Sequence, residues 1–133
     1  MDGVELTPLK RINHPKGDLY HGLKATEQSY TGFGEAYFTT ISCGNTKGWK
    51  KHLRMTMNLV VPVGQVRFYL RNEEGEAFSV ELGENNYQRL TVGPGLWMAF
   101  EGRGQELNLV LNIANIPHDP IESVSVALET FLL

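Results

Sequence analysis

Residues 48–66, GWKKHLRMTMNLVVPVGQV, hold the densest set of side chains able to do chemistry. His52 sits among three cations, Lys50, Lys51 and Arg54. An imidazole can take a proton near neutral pH, and a nearby ammonium or guanidinium can hold an oxyanion or a phosphate. On a strand, Lys50 and His52 share one face and Lys51 takes the other, because successive side chains alternate. Lys50 and His52 are therefore the candidate catalytic pair. Arg54 is a candidate for gripping phosphate, and Lys51 is read as a solvated edge lysine. The other histidines carry weaker signals. His14 lies in a polar turn, His21 on a short strand, and His118 beside Asp119 in NIPHDP. Side chains of adjacent residues diverge in extended chain, so His118–Asp119 is read as a structured turn. Five tyrosines could serve as acids; Tyr37 and Tyr69 are favoured because both fall on expected strands.

The elements that must position these groups are strands. Glycines and prolines punctuate the chain at short intervals. Between them lie EAYFTTISC, MNLVVPV, QVRFYL, AFSVEL, YQRLTV, LWMAF and LNLVLNI, all rich in β-branched and aromatic residues. RNEEGEA, residues 71–77, is a charged hairpin turn. No segment keeps a helical apolar period over three turns. The tail IESVSVALETFLL alternates at Val124, Val126 and Leu128 and is expected to be a strand. This spacing predicts an all-β single domain over residues 1–133, with little helix and a less regular segment at 1–30.

Composition narrows the function. A length of 133 residues and an apolar content of 41% suit one soluble domain with its own core. The net charge of −3 gives no sign of nucleic-acid binding. The single cysteine, Cys43, permits no intrachain disulfide and no thiolate zinc site. No apolar run approaches a membrane span, and the first residues lack a signal-peptide core, so the expected setting is the cytoplasm.

Several motifs together resemble the cupin superfamily. Within it, the chain is similar to the small sugar-nucleotide proteins related to dTDP-4-dehydrorhamnose 3,5-epimerase. The carriers are HPKGDLYHGLK, KGWKKHLRMTMNLVVPVGQV, GPGLWMAFEG and LNIANIPHDP, in that order, over roughly residues 13–120. The resemblance implies a cupin-type jelly-roll β-barrel. It also implies a metal-free isomerase or epimerase acting on a nucleotide-linked keto-sugar in surface polysaccharide or glycan biosynthesis. In those enzymes a histidine is the base and a tyrosine the acid, and the assembly is a homodimer. The alternative is a non-catalytic cupin that binds carbohydrate or nucleotide-sugar.

The metal-ligand pattern of cupins is interrupted. Counted from Gly44, its first histidine position is Lys50, its second His52 and its glutamate Met57, closing at Gly64. Its last histidine position, counted from Gly95, is Met98. A lysine and two thioethers are poor ligands for the metals cupins hold, so no metal and no cofactor are expected. Met57 and Met98 are instead candidate packing surfaces in a substrate pocket. Trp49 and Trp97 neighbour inward positions and should face outward, under the N-terminal segment or at a dimer contact.

Overall fold

The computed structural model describes all residues, 1–133. Twelve strands follow in chain order. The first six are β1 (Val4–Pro8), β2 (Arg11–Ile12), β3 (Leu19–Tyr20), β4 (Glu35–Thr40), β5 (Thr46–His52) and β6 (Met57–Val63). The rest are β7 (Gln65–Arg71), β8 (Ala77–Gly83), β9 (Gln88–Val92), β10 (Trp97–Gly102), β11 (Leu109–Ala114) and β12 (Ser123–Ser125). They form two five-stranded antiparallel sheets, ordered β1-β9-β6-β11-β4 and β12-β5-β10-β7-β8. β2 and β3 make a separate small ribbon in the less regular N-terminal segment. The fold is the expected all-β jelly roll, but the sheets stay open and do not close into a continuous barrel.

Alternation builds the core. Val66, Phe68 and Leu70 of β7 are buried while their neighbours are only half-buried. They meet Leu59 and Val61 of β6 and Leu90 and Val92 of β9 across the two sheets. Burying each such side chain contributes about 1.5–3 kcal/mol. β6 turns into β7 at Gly64, whose φ is +87°. A Cβ there would stand 2.4 Å from the Leu107 carbonyl oxygen, so only glycine fits.

The outer face of the first sheet is closed by a polar knot. Arg89 on β9 is fully buried and points away from the core. Its guanidinium donates to Asn58 Oδ1 at 3.1 Å, the Gly22 carbonyl at 2.7 Å, Glu27 Oε2 at 2.7 Å and Ser29 Oγ at 2.6 Å. That network fastens the irregular segment 22–29 to the sheet.

The tail differs from its expected form. Only Ser123–Ser125 is strand, preceded by a 3-10 turn at Pro120–Glu122 and followed by another at Leu128–Thr130. The tail then packs Phe131 against Trp49 and Trp97, with ring centroids 5.5 and 5.6 Å away. Both tryptophans do face outward, but the C-terminal segment covers them, not the N-terminal one. Trp49 Nε1 donates to the Leu128 carbonyl at 3.0 Å, which ties the tail to the middle of β5.

Candidate active site

The site lies between the sheets, in a cavity of about 340 Å³. β5 supplies one wall and β4, β6 and β11 the other. Lys50 and His52 both line it, as strand alternation requires. Lys51 points to the outer face, where its ammonium pairs with Glu73 at 2.6 Å and lies over Trp97. Lys47 also lines the cavity, although simple alternation from Lys50 would turn it away. The reason is a bulge. Met98 of β10 pairs with Lys50, but Phe100, two residues on, pairs with Lys47, three residues back. The extra residue at Gly48–Trp49 returns Lys47 to the inner face.

His52 is buried and belongs to a dyad. Its Nδ1 is hydrogen-bonded to Oε1 of Glu122, a side chain 2% exposed. The other carboxylate oxygen of Glu122 accepts from three successive backbone N–H groups, Leu53, Arg54 and Met55, each at 3.2 Å. These are the residues of the tight turn between β5 and β6. Asp119 holds the turn that carries Glu122, accepting from Ile121 N at 3.2 Å. Burial raises the carboxyl pKa of Glu122. The hydrogen bond from His52 and the backbone donors at Arg54 and Met55 outweigh burial and hold it below the usual range. Glu122 is therefore a carboxylate at neutral pH. A carboxylate on Nδ1 fixes the ring tautomer with Nδ1–H donating and Nε2 carrying the lone pair.

Across the cavity, Tyr37 of β4 and Asn112 of β11 are cross-strand partners. Asn112 Nδ2 donates to the Tyr37 hydroxyl oxygen at 3.0 Å, leaving the phenol O–H free to donate. Met57, Met98, Phe68 and Phe100 add apolar surface. No Asp or Glu lines the cavity, while Lys47 and Lys50 do, so its field favours an anion. Lys47 is already engaged, donating to the Thr40 carbonyl at 2.8 Å. Nowhere in the chain do three or more His, Cys, Asp or Glu side chains converge as a metal ligand set would. At the cupin ligand positions stand Lys50, Met57 and Met98 around His52.

Two expected site residues lie elsewhere. Arg54 is absent from the cavity; it follows the end of β5, is largely exposed, and pairs with Asp119 at 3.3 Å. Tyr69 falls on the outer face of β7 between inward Phe68 and Leu70, and its hydroxyl donates to Glu101 at 2.7 Å. Burial first, then the Glu101 hydrogen bond, raises its pKa, so it is a poorer acid there than a free phenol. Three contributors were not foreseen: Glu122, Lys47 and Asn112. Glu122 meets His52 across 70 residues of chain, and no local pattern marks such a pairing.

The architecture has close parallels among solved structures. A dTDP sugar isomerase from Desulfovibrio desulfuricans G20 matches with a TM-score of 0.93 and 32% identity, over 97% of this chain and 87% of that one. This chain belongs to the dTDP-sugar isomerase family. More distant structures share the fold. The sugar 3,4-ketoisomerase QdtA from Thermoanaerobacterium thermosaccharolyticum, in complex with TDP, matches at TM-score 0.80 and 20% identity, over 93% of this chain and 88% of that one. A dTDP-4-dehydrorhamnose 3,5-epimerase from Sulfolobus tokodaii matches at 0.85 and 16%, over all of this chain and 82% of that one. No protein-family model and no curated protein matches the sequence. These structures are sugar-nucleotide isomerases and epimerases, the class of protein that the resemblance implied.

Proposed function

We propose that this chain isomerises or epimerises a nucleotide-linked keto-sugar by proton transfer at the carbon next to the ketone. One observation carries the reading: the His52–Glu122 dyad faces a cavity that holds two lysines and no carboxylate. His52 Nε2 takes the proton from carbon. The C–H electron pair becomes the C=C bond of an enolate, and its oxygen takes the negative charge. The Lys50 ammonium, which has no ion-pair partner in the chain, balances that oxygen. Glu122 balances the charge that forms on the imidazole ring. Tyr37 is the proton source on the opposite wall. Return of a proton to the same carbon from the other face inverts that centre. Return to the former carbonyl carbon, with the neighbouring hydroxyl proton passing to the former carbonyl oxygen, moves the ketone.

With Lys50 assigned to the enolate oxygen, the ligand's diphosphate is assigned to Lys47, the other cation that lines the cavity. The proposed setting is the cytoplasm; no helix is long and apolar enough to cross a membrane. The proposed assembly is a homodimer through edge strand β4 and the N-terminal segment, where Phe33 and Phe38 are more than half exposed. Light scattering at micromolar concentration then gives twice the chain mass, and a monomer refutes the dimer.

The deciding experiment mixes the protein with dTDP-, UDP-, GDP- and CDP-linked 4-keto sugars in deuterium oxide. The expected outcome is deuterium entering one of them beside the ketone, with exchange abolished in His52→Asn. Binding without exchange, in wild-type protein, points to a non-catalytic nucleotide-sugar binder instead. Exchange that survives both His52→Asn and Lys50→Ala refutes the assignment of the site.

A further inference from the structure

Asn112 Oδ1 is the one buried side-chain nitrogen or oxygen in the molecule without a hydrogen-bond partner. The residue is 2% exposed and lines the cavity. Buried polar atoms are satisfied almost without exception in folded proteins, and an orphan is destabilising. Every other buried polar side chain here is bonded: Asn58 to Arg89, Thr91 and Ser29, and Asn108 to Ile41 and Gly104. The exception falls inside the candidate active site, where unsatisfied groups are kept for a ligand.

We propose that Asn112 is a substrate-binding residue that accepts a hydrogen bond from a hydroxyl of the bound sugar. The proposal rests on the nucleotide-sugar reading of the site. Without ligand, Asn112 Nδ2 donates to the Tyr37 hydroxyl oxygen at 3.0 Å. The amide plane turns about a broad χ2 well, which brings the oxygen to the cavity surface when a donor arrives. A hydroxyl suits the position because it both donates and accepts, and it satisfies the free amide atom in either amide orientation. The surrounding wall supports a sugar ring as the occupant. Leu59 and Val110 flank Asn112 on the same sheet, with Phe68 and Phe100 also lining the cavity, an apolar bed that leaves this amide as the polar anchor of the wall. A cavity of about 340 Å³ is at the small end for ligand sites and encloses a sugar ring, not a whole nucleotide-sugar. Asn112 shares this wall with Tyr37, the proposed proton source, so the proposal sets the sugar against it and the nucleotide outside.

The test titrates whole wild-type protein and Asn112→Leu with dTDP and with dTDP-glucose, and melts both proteins without ligand. The expected result has three parts. Asn112→Leu loses about tenfold in affinity for dTDP-glucose, the scale of one neutral hydrogen bond left unmade. Its affinity for dTDP stays within about twofold of wild type. Its melting temperature without ligand rises, because an orphaned polar group has been removed from the interior. Asn112→Ala gives the same split between the two ligands if leucine overfills the cavity. Unchanged affinity for dTDP-glucose in both variants overturns the proposal and leaves the nucleotide-sugar reading intact. Equal losses for both ligands, or a lower melting temperature in both variants, also overturn it, since each marks a structural role. Failure of wild type to bind either compound overturns this proposal, while the nucleotide-sugar reading stands or falls with the four-nucleotide exchange experiment.

Discussion

Glu122 shows how much of the chemistry rests on one side chain that never reaches the cavity. Its carboxylate is gripped by three backbone N–H groups on one oxygen and by His52 on the other. The backbone grip fixes where the carboxylate stands, and the carboxylate in turn fixes the ring. Glu122→Gln keeps the size and much of the backbone bonding. It removes the charge, and its amide nitrogen can donate to Nδ1 and so favour the wrong tautomer. The expected outcome is a fall in deuterium exchange of roughly a hundredfold or more, with nucleotide-sugar affinity nearly unchanged. Exchange rates with saturating ligand and a separate titration check this. A loss of affinity that matches the loss of rate would make Glu122 a binding residue instead. His52 was legible because its residue type and its place among cations mark it. Glu122 was not, since an isolated Glu between Ile121 and Ser123 looks like any surface acid. Tyr69 is a different matter. Val66, Phe68 and Leu70 alternate as an inward set, and the same alternation assigns Tyr69 to the outer face.

At the scale of elements, β5 does the positioning. It is clamped by β10 on one side and β12 on the other, with Ser123 opposite His52 and Ser125 opposite Lys50. The bulge at Gly48–Trp49 sends Trp49 outward into the aromatic cluster and returns Lys47 inward. Only glycine fits at 48: a Cβ would stand 2.5 Å from the Ala99 Cβ, and φ is +150°. Gly48→Ala must therefore push β5 off β10 and carry Lys47, Lys50 and His52 with it. The expected outcome is a folded protein destabilised by about 1–3 kcal/mol, with exchange lost by more than stability alone explains. Denaturant unfolding and exchange rate, measured on one preparation, check both parts. Wild-type activity in this variant would show that the register of β5 does not set the site. Glycine punctuation and β-branched runs made the strands legible, because both are local signals. The bulge was not, because a one-residue register shift is decided by the partner strand.

For the molecule as a whole, two ionised carboxylates hold long-range connections, and both titrate below the usual range. The Arg89 hydrogen bond, offset in part by burial and helped by the Lys24 N–H, lowers the pKa of Glu27. Glu122 is lowered against the opposing effect of its own burial. Glu27 fastens the N-terminal segment to the first sheet through Arg89, and Glu122 fastens the C-terminal segment to the end of β5. Each group binds its proton more weakly in the folded chain than in the unfolded one. The unfolded chain therefore takes up protons first as pH falls, and acid favours unfolding. The stability each contributes is fully present above the unfolded carboxyl pKa of about 4.3 and is lost as pH falls through the lower folded value. Glu27→Gln should cost on the order of 1 kcal/mol at pH 7, a modest figure because its carboxylate is a quarter exposed. That cost should shrink as the wild-type carboxylate is protonated, so the two stability curves converge below about pH 4. Urea unfolding of wild type, Glu27→Gln and Glu122→Gln across a series from pH 7 to the acid limit checks this. A gap that stays constant over the series would mean that neither carboxylate is held ionised by the fold.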